Sequence, residues 1–205
     1  MERTRAELAH LLAPAARSWG IALDPAVARL STFAELLLEW GARINLTGAR
    51  SVAELCAEHF ADAFPLVPLL PRSGRWVDVG SGAGLPGIIL AITRPDLAGV
   101  LLEPSQKRRA FLQAAIRTLG LAAVKVEADR LEEHVARVGA SYDIAVSRAV
   151  FGLSDWLEAG RALVSAGGTV VGFGTEATVP KAPRDAEVTS YNVGAGTRMV
   201  VSVRK

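Results

Sequence analysis

A short apolar segment followed by closely spaced glycines constrains this chain more than any other feature. Residues 76–87 read Trp-Val-Asp-Val-Gly-Ser-Gly-Ala-Gly-Leu-Pro-Gly. The apolar run fits a buried strand, and the alternating glycines allow a sharp turn and a close approach of the backbone to a ligand. Pro86 suits the start of a helix, where a missing N–H has no cost. The segment therefore predicts a strand, a glycine loop and a helix, as in the nucleotide-binding corner of a doubly wound α/β sheet.

Two kinds of cofactor are compatible with this glycine loop. Gly82, Gly84 and Gly87 match the G-x-G-x-x-G pattern that binds dinucleotide pyrophosphates. However, the glycine next to the predicted strand is Gly80, and Asp78 precedes it by two positions. A carboxylate there would repel a pyrophosphate and attract a cation. S-adenosylmethionine has no phosphate and carries a sulfonium and an ammonium. The register therefore favours S-adenosylmethionine, with a dinucleotide, or a loop that binds no cofactor, as the alternatives.

The composition limits the class of protein. With 205 residues, of which 50% are hydrophobic and 21% charged, the chain can bury a core and does not have a disordered composition. A net charge of +2 does not by itself indicate a nucleic-acid partner. The one cysteine, Cys56, provides no internal disulfide, and no apolar run is long enough to span a bilayer. The charged N-terminus does not resemble a signal peptide, so we expect a cytoplasmic protein without membrane contact.

Patterns typical of helices come first, and strand and helix patterns then alternate. We expect an N-terminal helical extension over 1–71 and a core over 72–205, together forming one compact unit, and Asp24-Pro25 is expected to begin a helix. The predicted strands are 75–79, 98–103, 123–127, 142–147 and 169–173. The predicted helices between them are 86–93, 106–119, 131–137 and 154–164. Segments 185–192 and 197–203 read as a closing hairpin joined by Gly194-Ala195-Gly196. These patterns predict a seven-stranded, mostly parallel sheet whose last strand is antiparallel.

Several side chains follow predicted strands, at the sheet edge where open α/β sheets bind ligands. Glu103 could accept both hydroxyls of a ribose, or be a surface carboxylate. Leu131 and Glu132 could pack on a base and bind its polar edge, or simply begin a helix whose dipole favours acids. A buried guanidinium needs a partner, so Arg148 is expected to bind the carboxylate of the cofactor, Asp78 or another nearby acid. Purely structural pairing of Arg148 is the alternative.

Other polar residues indicate a function less clearly. Lys107, Arg108 and Arg109 lie at the start of a predicted helix, where the helix dipole opposes cations. A contact with a phosphate backbone would explain them, and a solvated face is the alternative. His59 and Asp62 are three positions apart on a predicted helix, without a cysteine or a second histidine nearby. This pattern does not predict a metal site.

A series of short motifs resembles those of one known family. In order, they are Asn45-Leu46-Thr47, Glu58-His59-Phe60-Ala61-Asp62, the glycine loop 77–87, Leu101-Leu102-Glu103, Lys107-Arg108, Arg130-Leu131-Glu132-Glu133 and Ser147-Arg148-Ala149. Between about residues 30 and 150 the chain resembles the glucose-inhibited division protein B family, the small-subunit ribosomal RNA methyltransferase G family. The resemblance implies a Rossmann-like class I methyltransferase fold. It also implies transfer of a methyl group from S-adenosylmethionine to N7 of a guanine in 16S ribosomal RNA.

The resemblance assigns roles to individual residues. By motif, the cofactor contacts are Gly80, Leu85, Leu131, Glu132 and Arg148, with Glu103 at the ribose, and the glycine-loop argument adds Asp78 and Gly82. The residues expected to face the RNA or the reacting base are Asn45, Lys107, Arg108 and Arg130. Guanine N7 has a free lone pair, so no residue is expected to act as a general base.

The resemblance leaves other functions open. We expect a monomer without a metal. The alternatives are a methyltransferase with a different substrate, or a non-catalytic RNA-binding or assembly factor that retains the cofactor loop. The chain departs from the family at Phe173, where many members have lysine.

Overall fold

A mixed seven-stranded sheet forms the centre of the computed structural model, which describes residues 2–148, 150–193 and 196–205. The strands are β1 (Arg75–Val79), β2 (Ala98–Leu102), β3 (Val124–Glu127), β4 (Tyr142–Ser147), β5 (Val164–Gly174), β6 (Glu187–Val193) and β7 (Gly196–Arg204). Their order is β3-β2-β1-β4-β5-β7-β6, and β7 alone runs in the direction opposite to the other six strands. The predicted seven-stranded sheet with a C-terminal antiparallel hairpin is confirmed. Gly194 and Ala195 of the predicted hairpin turn lie outside the described residues.

Helices cover both faces of the sheet and form the N-terminal region. They are α1 (Glu2–Ser18), α2 (Leu23–Gly41), α3 (Val52–Leu55), α4 (Ala61–Ala63), α5 (Gly87–Thr93), α6 (Gln106–Leu119), α7 (Leu131–Val138) and α8 (Leu153–Ala159). A π-helical turn, Cys56–Phe60, joins α3 to α4. Three 3-10 segments cover Phe64–Leu69, Gly160–Ala162 and Val179–Lys181. In the part of the chain that the structure describes, no helix combines the length and apolar character needed to cross a bilayer.

The largest differences from the sequence-based expectations lie at the boundaries of α2, β5 and α8. Helix α2 begins at Leu23, so Asp24, which was expected to cap the helix, lies in its first turn together with Pro25. Strand β5 begins at residue 164 instead of 169 and passes through the predicted Gly167-Gly168 break. An irregularity in its pairing with β4 accommodates the extra residues. Helix α8 ends at residue 159, and a 3-10 turn replaces the rest of the helix predicted as far as 164.

The N-terminal helices and the sheet-flanking helices contribute to the same hydrophobic core. Phe33 of α2 stacks on Phe60, with ring centroids 5.7 Å apart, and faces Phe111 of α6 at 6.4 Å. Such aromatic contacts stabilise packing beyond the area that they bury. The helices before residue 71 therefore complete the cover over one face of the sheet, although a boundary near 71 remains a prediction.

The strand order places a crevice at the end of β1. Strand β1 pairs with β2 on one side and with β4 on the other, and both pairings are parallel. The chain therefore proceeds in opposite directions across the sheet from this strand. Side chains and loops at the carboxyl ends of β1, β2 and β4 meet there, at the usual ligand position in open α/β sheets.

Candidate functional site

The glycine loop after β1 bends back on itself through three left-handed residues. Gly80, Gly82 and Gly84 have φ angles of +72°, +55° and +79°. The backbone N–H groups of Gly80 and Ser81 donate to the carbonyl of Leu102 at 2.9 and 3.0 Å. These bonds continue the pairing of β1 with β2 into the loop. The loop is thus held by the sheet in a conformation that glycine adopts at low cost.

The loop glycines have different neighbours. A Cβ on Gly84 would lie 2.4 Å from Ile88, and a Cβ on Gly87 would lie 2.4 Å from Leu101. These two positions therefore need glycine for packing between the loop, the helix and the sheet. A Cβ on Gly82 would have only the carbonyl oxygen of Gly80 within 4 Å, at 3.8 Å. Gly82 thus borders open space, where a side chain would compete with a ligand.

Asp78 lies beneath the loop and contacts the start of α5. Its side chain is buried, and its Oδ2 accepts a hydrogen bond from the backbone N–H of Gly87 at 3.0 Å. Its Oδ1 is buried without a partner among the described residues. Burial raises the pKa of Asp78 from 3.8 to about 7, although the bond from Gly87 and the charge of Arg148 oppose the shift. A carboxylate therefore already occupies the helix start where a dinucleotide would place its pyrophosphate, which disfavours that alternative.

Two adjoining cavities open at the crevice and share Gly80 and Val150. The first, of about 220 Å³, is lined by Val79, Gly80, Leu102, Pro104, Asp129, Arg130, Leu131, Glu132, Val150 and Phe151. The second, of about 230 Å³, is lined by Leu46, Thr47, His59, Gly80, Ser81, Gly82, Ala83, Leu85, Arg108, Arg148 and Val150. The first offers apolar surface with charged groups from 129–132. The second offers guanidinium, imidazole, hydroxyl and backbone groups, so the two cavities suit the apolar and the charged parts of one ligand.

Glu103 connects the glycine loop to the beginning of α6. Its buried carboxylate accepts hydrogen bonds from the backbone N–H of Gly82, through Oε2, and of Ser105, through Oε1, both at 2.8 Å. Each carboxylate oxygen retains a second lone pair. The role of Glu103 as a ribose acceptor remains a prediction, and the structure adds a role in holding the loop.

Arg148 finds its carboxylate partner in Asp62 rather than in Asp78. Its Nη1 lies 3.1 Å from Asp62 Oδ2, and its Nη2 lies 3.3 Å from Nδ1 of His59. Burial, and then the charge of Arg148, lower the pKa of His59. A neutral imidazole can accept at Nδ1, and the Nε2 of His59 is buried without a partner among the described residues. Ala149, the last residue of the Ser-Arg-Ala motif, lies outside the described residues.

Asp62 has two further partners, which the sequence did not indicate. Tyr191, 129 residues away in sequence, donates from its hydroxyl to Oδ1 at 2.6 Å. Arg198 places Nη1 2.9 Å from Oδ2. The sequence assigned Tyr191 and Arg198 only to a closing hairpin, and no local pattern marks them.

Comparisons with known proteins agree with the motifs. The sequence model of the GidB family, described as rRNA small subunit methyltransferase G, matches residues 26–188. The chain belongs to this family. It is 35% identical over 199 residues to ribosomal RNA small subunit methyltransferase G of Moorella thermoacetica, covering 93% of this chain and 81% of that protein. It is 41% identical over 145 residues to the protein of the same name from Desulfotalea psychrophila, covering 69% of this chain and 66% of the relative.

Solved structures support the fold of the family member. Precorrin-6y C5,15-methyltransferase from Geobacter metallireducens GS-15 superposes with a TM-score of 0.58 at 15% identity, over 77% of this chain and 89% of that chain. At this identity the similarity shows the fold alone. The fold of this family member is therefore that of Rossmann-like methyltransferases, as the sequence predicted.

The four residues that the family resemblance assigns to RNA contact do not line one common cavity. Arg108 is exposed and lines the second cavity. Lys107 and Asn45 are exposed without lining either cavity, although Leu46 and Thr47, next to Asn45, line the second one. Arg130 lines the first cavity instead, beside Leu131 and Glu132. Of the four residues, Arg108 alone is thus placed in the second cavity.

Residues after β4 were missed by the sequence reasoning. Val150 and Phe151 are large apolar side chains with exposed fractions of 50% and 38%, and both line the first cavity. An apolar pair in the loop that follows a strand-end arginine could have indicated that these residues line the site. Phe173, at the position where many family members have lysine, is half-buried against the hydrophobic core.

A cluster of possible metal ligands lies next to the first cavity. Glu127, Asp129 and His134 offer ligand atoms within 4.8 Å of one another. Arg137 pairs with both carboxylates, and Nε2 of the buried His134 bonds the hydroxyl of Tyr142 at 2.7 Å. A guanidinium thus already supplies the positive charge in this cluster, and the absence of a metal remains a prediction.

Proposed function

We propose that this family member uses S-adenosylmethionine to methylate N7 of a guanine in small-subunit ribosomal RNA. The observation that carries the proposal is the pair of adjoining cavities beside Gly80. One is apolar and ends at Leu131 and Glu132, and the other contains Arg148. Together they complement a ligand with an adenosine at one end and a charged amino acid at the other.

The residues of the crevice fit this cofactor. The apolar surface of Leu131 would pack on the adenine, and the polar groups of 131–132 would bind its edge. Glu103, held by backbone N–H groups, would accept the ribose hydroxyls with its remaining lone pairs. Arg148 would bind the cofactor carboxylate in the second cavity. The unpartnered Oδ1 of Asp78 and the open space beside Gly82 further support a ligand close to the loop.

The chemistry requires positioning more than proton transfer. Bound S-adenosylmethionine supplies an electrophilic methyl group on a sulfonium. The guanine N7 attacks with its own lone pair, so the residues of the second cavity need only hold the base in line and exclude water. Positive charge develops on the base during transfer, and a free cation beside N7 would oppose it. The carboxylate of Asp62 reduces this repulsion by pairing with Arg148.

Basic residues at the entrance of the second cavity support RNA as the substrate. Arg108 lines this cavity, and Lys107 precedes it at the exposed start of α6, where both could contact phosphates. We also propose that Asn45 and Arg130 contact the RNA or the reacting base. N7 of a paired guanine lies in the deep major groove of RNA, so we expect an unpaired or displaced base as the substrate.

We also propose that the protein acts in the cytoplasm as a monomer.

Two measurements test the proposal. Calorimetry should show binding of S-adenosylmethionine, and NAD should not compete with it. Mapping of modified guanines should find one N7-methylguanine in small-subunit RNA that disappears from cells lacking the gene. Cofactor binding without this loss would indicate a methyltransferase with another substrate. RNA binding without cofactor binding at millimolar concentration would favour the non-catalytic assembly factor.

A further inference from the structure

The buried carboxylate of Asp62 joins the C-terminal hairpin to the second cavity. Tyr191 on β6 and Arg198 on β7 are direct cross-strand partners, and both contact Asp62. On the other side of Asp62, Arg148 reaches the cavity from the end of β4. Asp62 itself is 1% exposed. A single acid therefore connects two distant parts of the chain.

The contacts restrict how the carboxylate and the guanidinium can lie. The Tyr191 hydroxyl binds Oδ1 at 2.6 Å, so Oδ2 is left to face both arginines, at 3.1 Å from Arg148 and 2.9 Å from Arg198. Arg198 is itself held by the carbonyl of Glu58 at 3.2 Å. A hydroxyl bound to one oxygen and a fixed cation at the other prevent rotation of the carboxylate. Oδ2 is therefore the oxygen that Asp62 presents to Arg148.

The balance of charge around Asp62 also bears on what the second cavity can bind. One carboxylate serves two guanidiniums, so one positive charge remains unbalanced. Arg148 is the guanidinium that lines the second cavity, with a side chain that is 19% exposed. The arrangement thus presents a held, partly compensated cation to a ligand in this cavity, which suits a carboxylate.

We propose that Asp62, Tyr191 and Arg198 are positioning residues that set the Arg148 guanidinium for the carboxylate of the cofactor. The C-terminal hairpin would thereby determine the affinity for the amino-acid end of the ligand. The inference rests on the proposed function, because it assumes that Arg148 binds this carboxylate.

Binding of two different ligands distinguishes a role in positioning Arg148 from a general effect on the stability of the protein. S-adenosylhomocysteine carries the amino-acid end, whereas 5′-methylthioadenosine lacks it and reports on the adenosine part alone. Tyr191→Phe removes one hydroxyl and no charge. We expect calorimetry to show about three- to tenfold weaker binding of S-adenosylhomocysteine, the range for one hydrogen bond, and unchanged binding of methylthioadenosine.

The chain offers matched controls. Tyr142→Phe also removes a hydroxyl from a buried tyrosine that has a hydrogen-bond partner, His134. It should leave the ratio of the two affinities unchanged. Arg198→Met should weaken S-adenosylhomocysteine selectively, because it removes the unbalanced positive charge. Arg161→Met is its control, since Arg161 also pairs with nearby carboxylates, those of Asp185 and Glu158, and donates to one backbone carbonyl, that of Arg204.

The outcomes distinguish the two proposals. If Tyr191→Phe and Arg198→Met weaken both ligands equally, or neither, the positioning role is wrong. If the unaltered protein binds neither ligand, the proposed function itself fails. The charge-neutral Tyr191→Phe, with methylthioadenosine binding as the measure of an intact fold, keeps the test decisive.

Discussion

The carboxylate of Asp78 at β1 accepts a hydrogen bond from the backbone N–H of Gly87, the first residue of α5, at 3.0 Å. A Cβ on Gly87 would lie 2.6 Å from the same carboxylate oxygen. The acid and the glycine therefore depend on each other, and the bond joins the strand to the helix behind the glycine loop. In this protein the last glycine of the G-x-G-x-x-G pattern is needed for packing between the strand and the helix. A glycine needed for packing does not indicate a particular ligand, so the pattern alone did not distinguish the cofactor.

Replacing Asp78 with asparagine should stabilise the protein in a pH-dependent way. Burial raises the pKa to about 7, so the folded protein retains a proton that the unfolded chain loses near 3.8. The favourable contribution of Asp78 to the free energy of unfolding is complete below pH 3.8. It is lost as the pH rises to about 7. Asparagine does not ionise, so its advantage in the free energy of unfolding should grow over this interval by up to roughly 4 kcal/mol.

Denaturant unfolding at pH 4, 5.5 and 8 measures this difference, with Asp155→Asn, an exposed acid of α8, as the baseline. A difference that does not vary with pH would contradict the burial effect. The same variant should bind S-adenosylmethionine more weakly, because the crevice loses a negative charge.

Gly82→Ala should abolish cofactor binding at a modest cost in stability. Gly82 and Gly120 both have positive φ, +55° and +65°, and neither has a neighbour that a Cβ would strike. Alanine at either position should lower the free energy of unfolding by about 1–2 kcal/mol, the cost of a left-handed alanine. Only Gly82 lines the second cavity. Thermal shift with S-adenosylhomocysteine should remain in Gly120→Ala and disappear in Gly82→Ala, and equal shifts in both would refute this placement.

Lys107→Ala and Arg108→Ala should weaken RNA binding without weakening the fold. Both residues are exposed in the first turn of α6, where the helix dipole disfavours cations, so thermal stability should be unchanged or slightly higher. If each contacts one phosphate, each substitution should reduce the slope of log affinity against log salt concentration by about 1. Filter binding to small-subunit RNA measures this slope. Arg117→Ala, in the last turn of the same helix, should leave it unchanged.

The thiol of Cys56 should be inert in the folded protein. Burial, with a smaller contribution from the charge of Glu7, raises its pKa to about 12. The thiolate is the reactive form, so alkylation at pH 8 should be at least about 1,000-fold slower than in the unfolded chain. Mass spectrometry after iodoacetamide treatment measures the rate at this single cysteine. Rapid labelling under native conditions would show that the region around the π-helical turn opens readily.

Much of the fold follows from local patterns. Strands β1 to β4 agree with the predicted ranges to within one residue at each end, because short apolar runs between glycines and helix signals are local features. The early start of β5 was missed because Gly167-Gly168 resembles the end of an element. Only the pairing of β5 with β4 shows that the strand continues through these glycines, with a local irregularity. The beginning of α2 was missed by two residues, within the usual scatter of helix ends.

The glycine loop, the strand-end acids and arginine, and the family can be read from the residues alone, since neighbouring positions carry all of them. The pairing of Arg148 with Asp62, and the contacts of Tyr191 and Arg198 with the same carboxylate, become visible only in the folded protein. Such partners come from elements far apart in the chain, and the interaction forms only where packing brings the side chains together. The buried carboxylate of Asp62 needs such partners, and no spacing along the chain records that requirement.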